Sequence, residues 1–192
     1  MKRRAFLSAL PIGALLGQEK NLRVVVRIET EVGDILVALS GDRAPNTVEN
    51  FLSYVKSGHY NGGRFHRTVK LDNQPKSPIK IEVIQGGPNP ALKERKDKLK
   101  LERTSVTGLK HVDGVISMAR SGPDTATADF FFCVGDQPEL DYGGKRNPDG
   151  QGFAAFGMAL KGLDVIRKIQ AAPAVEQKLT PPIKIKRIVI VD

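Results

Sequence analysis

The chain has 192 residues, enough for one domain with its own core, and it carries a formal net charge of +9. Aromatic residues make up 6%, tryptophan is absent, and 19 glycines with 12 prolines favour many short strands over long helices. A single cysteine, Cys133, excludes an internal disulfide, and its apolar strand context reads as a buried structural thiol. The basic residues are scattered and no aromatic-interleaved motif accompanies them, which argues against nucleic acid as a partner.

Residues 1–20 combine a basic start, Lys2-Arg3-Arg4, with a short apolar run over 5–17. That run is too short to span a bilayer and fits an export signal. Arg3-Arg4 followed by Phe6-Leu7 resembles a twin-arginine signal, so the expected location is periplasmic or secreted, with no stable membrane insertion after processing. Residues 21–192 are then the functional domain.

Residues 22–30 alternate, with Val24, Val26 and Ile28 on one face. A turn near Gly33-Asp34 leads to a second strand over 35–39, a hairpin pattern. Over 43–58 the spacing of Val48, Phe51, Leu52 and Val55 predicts an amphipathic helix that Pro45 starts and Gly58 ends. Short strands follow at 64–69 and 81–85, separated by a polar excursion over 70–80. The charged segment 88–110, densest over 93–100, reads as a solvated loop or short helix.

Residues 114–134 read as strand, polar loop, strand. Alternation sends Phe131 to one face of the second strand and Phe130 and Phe132 to the other. A Gly/Pro/Asp-rich loop spans 135–152, a strand 153–158, a second amphipathic helix 162–172 and a closing strand 183–191. About eight strands and two helices, without a strand–helix–strand repeat, suit a closed antiparallel barrel whose open ends the helices plug.

His59, His66 and His111 lack metal-ligand spacing, no serine sits in a nucleophile elbow, and the glycine pairs form no phosphate loop, so no metal or cofactor is expected. What remains is an arginine in an apolar strand. Unbroken alternation places Phe65, Arg67 and Val69 on one face, where an arginine either reaches out to a rim or faces a ligand.

Seven stretches in order resemble the cyclophilin family of peptidyl-prolyl cis–trans isomerases. They are Ala44-Pro45-Asn46-Thr47-Val48-Glu49-Asn50-Phe51, Phe65-His66-Arg67, Gln85-Gly86-Gly87, Ser117-Met118-Ala119, Gly122-Pro123-Asp124-Thr125, Phe130-Phe131-Phe132-Cys133 and Phe156-Gly157. The resemblance spans essentially the whole chain after the signal. It implies an eight-stranded antiparallel β-barrel capped by two α-helices, Arg67 as the catalytic residue, and proline-containing peptides and folding proteins as partners of a monomer. The substrate-binding residues it implies are Phe65, Val83, Gln85, Ala119, Arg120, Ser121, Phe131, Leu140 and Phe153. The departures lie near the pocket: Glu82 and Val83 stand for the usual Phe and Met, Arg120 for Asn, Asp129 for Gln, Glu139 for Trp and Phe153 for His. The lost tryptophan implies weak binding of cyclosporin-like macrocycles, and Arg120, Asp129 and Glu82 are expected to pair as charges at the rim. A proline-peptide binding module of the same fold, with little or no turnover, is the alternative reading.

Overall fold

Alternating burial along the strands drives the architecture. Val26 and Ile28 in β1 (Val25–Thr30) and Ile35, Val37 and Leu39 in β2 (Gly33–Leu39) are fully buried, while their neighbours are not. The computed structural model describes residues 24–92 and 98–191. The remaining strands are β3 (Arg64–Val69), β4 (Val83–Gly87), β5 (Val115–Met118), β6 (Phe130–Cys133), β7 (Ala154–Lys161), β8 (Ala174–Val175) and β9 (Lys178–Val191). All pairings are antiparallel, in the order β1-β2-β7-β5-β6-β4-β3-β9, and β9 pairs back onto β1. The eight-stranded barrel therefore closes on itself and leaves no free edge. The two-residue β8 is an arm hairpinned to β9.

The interior is aromatic. Phe51 packs edge-on to Phe130 at 5.7 Å and lies 5.2 Å from both Tyr60 and Phe156. Phe51 belongs to α1 (Pro45–Lys56), whose buried face also carries Val48, Tyr54 and Val55. Its N-cap, Ala44, offers no side-chain acceptor. Glu102 supplies one from a distant loop. Its Oε2 accepts from the Thr47 backbone N–H at 2.8 Å and from Thr47 Oγ1 at 2.6 Å, and its Oε1 accepts from the Asn46 amide. A carboxylate there satisfies orphan N–H groups and complements the helix dipole. A one-turn helix, α2 (Thr104–Thr107), follows, and α3 (Leu163–Gln170) buries Val165, Ile166 and Ile169.

Several boundaries differ from the sequence reading. The closing strand begins at Lys178, because Lys178 and Leu179 pair with the unpredicted β8. The loop over 135–152 contains a 3-10 turn, Pro138–Leu140. The expected export signal over 1–20, the start of the first strand, and residues 93–97 of the charged run lie outside the described residues.

Candidate active site

Barrel register builds the site. Arg67 pairs with Gln85, Gln85 with Phe131, Phe131 with Ser117, and Ser117 with Ala155. Directly paired residues project to the same side of a sheet, so this row crosses five strands on the outer face. A second apolar cluster sits there, separate from the interior: Val69, Ile81, Val83, Val115, Phe131, Cys133, Leu140 and Ala155. Phe130 and Phe132 belong to the interior cluster. Burial in this layer pushes the Cys133 thiol well above its ordinary range, which suits a structural role.

Phe65 does not join the site. It is fully buried in the interior, 5.8 Å from Phe130 and 6.4 Å from Phe132. The register slips between Phe65 and Arg67, where Phe65 opposes Gly86 and Arg67 opposes Gln85. This β-bulge adds one residue to β3, so Phe65 turns inward and Arg67 outward.

A cavity of about 500 Å³ opens above the row, and Arg67, Val83, Gln85, Ala119, Arg120, Ser121, Phe131, Leu140 and Phe153 all line it. Phe131 forms the floor. Its ring meets Phe153 edge-on at 5.3 Å and stacks on His111 at 6.0 Å. Beneath it, His111 is hydrogen-bonded to Asp141 at 2.8 Å and to Ser117 at 3.0 Å. The order Ser–His–Asp resembles a hydrolytic triad, but Ser117 is 0% exposed and no substrate reaches it. The network acts as a polar brace for the ring. Burial works to raise the Asp141 carboxyl, and the hydrogen bonds from His111 outweigh it and hold the group below its ordinary value.

Arg67 is held at three nitrogens. Nη1 donates to Gln85 Oε1 at 3.1 Å, while Nε and Nη2 donate to Gln177 Oε1 at 2.9 and 2.6 Å. A guanidinium has five N–H donors, so one hydrogen on each Nη is left over. Gln177 sits in the two-residue turn between β8 and β9, and the left-handed backbone of Glu176 shapes that turn. Its Nε2 donates to the Asn73 carbonyl at 3.0 Å, in the excursion between β3 and β4. The sequence reading missed Gln177, which lies 110 residues from Arg67 in a turn with no motif. Burial pulls the Arg67 guanidinium below its ordinary value, from which it remains a cation at neutral pH.

The expected rim pairing does not form. Arg120 makes a bidentate pair with Asp149 at 2.8 and 2.9 Å and donates from Nε to the Gly152 carbonyl. Its guanidinium carbon lies 5.0 Å from the centre of the Phe153 ring. Asp129 accepts from Gln85 Nε2 at 3.0 Å, and Glu82 accepts from Gln170 Nε2 at 3.1 Å. A bidentate partner on the loop over 135–152 outcompetes single contacts, so Arg120 is a fixed wall rather than a free charge.

Residues 25–190 match the sequence profile of the family described as cyclophilin type peptidyl-prolyl cis-trans isomerase/CLD. The chain is 33% identical over 166 residues to peptidyl-prolyl cis-trans isomerase cyp18 of Streptomyces antibioticus, covering 86% of this chain and 94% of that one. It is 34% identical over 147 residues to peptidyl-prolyl cis-trans isomerase B of Escherichia coli, covering 76% and 84%. Among solved structures, a cyclophilin type isomerase of Cryptosporidium parvum superposes with a TM-score of 0.71 at 26% identity, over 88% of this chain and 98% of that one. The same protein in the presence of the dipeptide Ala-Pro gives 0.70 at 25% identity, over 88% and 99%.

Proposed function

The chain belongs to the cyclophilin-type peptidyl-prolyl cis–trans isomerase family and isomerises Xaa–Pro peptide bonds, and we propose that turnover runs through Arg67 above the Phe131 floor. The observation that carries this reading is the guanidinium held by two glutamines, with donors to spare, at the edge of a cavity whose floor is the Phe131 ring.

Rotation about the bond is opposed by amide resonance, a barrier of about 18–20 kcal/mol. Twisting the bond breaks that resonance and leaves a lone pair on the prolyl nitrogen. An unused N–H of Arg67 donates to that lone pair. The contact is stronger in the twisted form than in the planar one, which is catalysis by differential binding. The pyrrolidine ring packs on Phe131 between Val83, Leu140 and Phe153, and this packing excludes water and strengthens the hydrogen bond. Gln85 has both polar atoms engaged, one by Arg67 and one by Asp129, and keeps one amide hydrogen for a substrate carbonyl. The main chain of Ala119, Arg120 and Ser121 borders the cavity and offers an extended peptide its hydrogen-bonding edge.

The physiological substrates in this reading are proline-containing segments of folding proteins outside the cytoplasm. The basic start and short apolar run of residues 1–20 support export, and the neighbour crystallised with Ala-Pro supports the ligand class. Exchange spectroscopy on an Xaa-Pro peptide tests the assignment. The wild type should accelerate exchange, and Arg67→Ala should abolish most of that acceleration. Peptide binding with equal exchange rates for the two proteins would instead identify a binding module without turnover.

A further inference from the structure

The proline cavity is bordered by three arginines, and they are not alike. Arg120 is neutralised by Asp149, whereas Arg67 and Arg146 have no carboxylate within salt-bridge distance among the described residues. Arg146 lines both the proline cavity and a second cavity of about 730 Å³ under the excursion between β3 and β4. Its Nη1 is pinned by Gln74 Oε1 at 2.8 Å, Ser77 Oγ at 2.6 Å and the Ile79 carbonyl. Its Nε and Nη2 make no hydrogen bond to a described residue, and neither is sealed from solvent. Next to it, Asn147 also lines the proline cavity, and its Nδ2 is a buried donor with no acceptor.

Half-buried positive charge without a counterion is unfavourable, and Arg67 and Arg146 add their mutual repulsion. The second cavity does not correct the imbalance, because Asp72 and Glu176 are outnumbered there by Lys70, Lys76 and Arg146. Cationic side chains outnumber carboxylates around this junction, and an anionic group is the ligand class that balances them.

We propose that the junction of the two cavities is a subsite for a carboxylate side chain of the client, an Asp or Glu within a few residues of the isomerised proline, held by Arg146. The inference rests on the isomerase reading and adds a substrate preference to it. Arg146 is then a specificity-determining residue, fixed in place by the excursion.

The test is a set of peptides around one Ala-Pro core, with Glu, Gln or Lys scanned through three positions on either side. The readout is the kcat/KM ratio within each peptide pair, from exchange spectroscopy. At one position or more, Glu should exceed Gln by about fivefold, the size expected of one charged contact at a partly exposed site. Lys should fall below Gln there. The Glu-to-Gln ratio should approach one in Arg146→Gln and in the wild type at high salt. A ratio near one at every position in the wild type overturns the proposal, as does a ratio that persists in Arg146→Gln. Should that variant not fold, a wild-type ratio indifferent to salt overturns it. Failure to accelerate exchange in any peptide, the neutral ones included, overturns the isomerase mechanism instead.

Discussion

Replacing Gln177 by alanine removes two of the three hydrogen bonds that orient Arg67 and leaves the charge and the proline floor in place. Arg67 is only partly buried and borders the cavity, so water can solvate the freed Nε and Nη2, and the full value of two charged hydrogen bonds, about 1.5–3 kcal/mol each, is not lost. What is lost is the geometry. Held only through Nη1 by Gln85, the guanidinium samples other rotamers and meets the prolyl nitrogen less often. A deficit of about 1.4 kcal/mol in transition-state stabilisation, or roughly tenfold in kcat/KM, is the expected size. The loss should fall on kcat, because the ring-binding residues are untouched. The Gln177 carbonyl keeps its bond from the Thr68 N–H, so the melting temperature should shift by no more than a few degrees. The assay is exchange spectroscopy on four proteins: wild type, Gln177→Ala, Arg67→Ala and the double variant. If Gln177 acts through Arg67, its substitution changes the rate less than twofold once Arg67 is gone. An equal tenfold loss in both backgrounds would refute the reasoning, as would no loss in the wild-type background.

The remaining predictions concern the supports of the site and fold. Glu102→Ala removes the cap of α1 and should lower unfolding free energy by about 1–2 kcal/mol, read from the urea midpoint, with little change in turnover per folded molecule. Asp141 has a depressed folded-state pKa, so its contribution is present above the ordinary carboxyl range and lost as pH falls below it. Asp141→Asn should therefore be less stable than the wild type at pH 7, and the gap should narrow by about pH 3, as urea titrations at the two values would show. In Gly87→Ala the added Cβ collides with the Asp129 carboxylate, which accepts from Gln85. Moving that carboxylate releases Gln85, and kcat/KM for an Xaa-Pro peptide should fall several-fold, about 1 kcal/mol, without loss of fold as judged by circular dichroism.

Much of this was legible in the sequence where the physics is local. The three consecutive phenylalanines divide between two cores as strand alternation requires, and Pro45, Val48, Phe51 and Val55 mark a helix that packs as its spacing says. Alternation unbroken through Arg67 puts Phe65 on the site face, whereas the β3–β4 slip turns it into the interior. The slip there exists only in the pairing of β3 with β4, so no property of the single strand announces it. Glu102 lies in the charged segment 88–110, which in sequence reads as solvated, and its worth depends on a helix N-terminus some 55 residues earlier in the chain.

Composition and periodicity determined the class of fold, its strands and helices, and the kind of chemistry that was absent, since each follows from how neighbouring residues share one face. The tertiary structure alone decided which partners hold the working arginine, which of the three pocket arginines is neutralised, and how the excursion reaches the site. Those outcomes join residues as many as 110 positions apart, and barrel closure, not local preference, brings their atoms within hydrogen-bond reach.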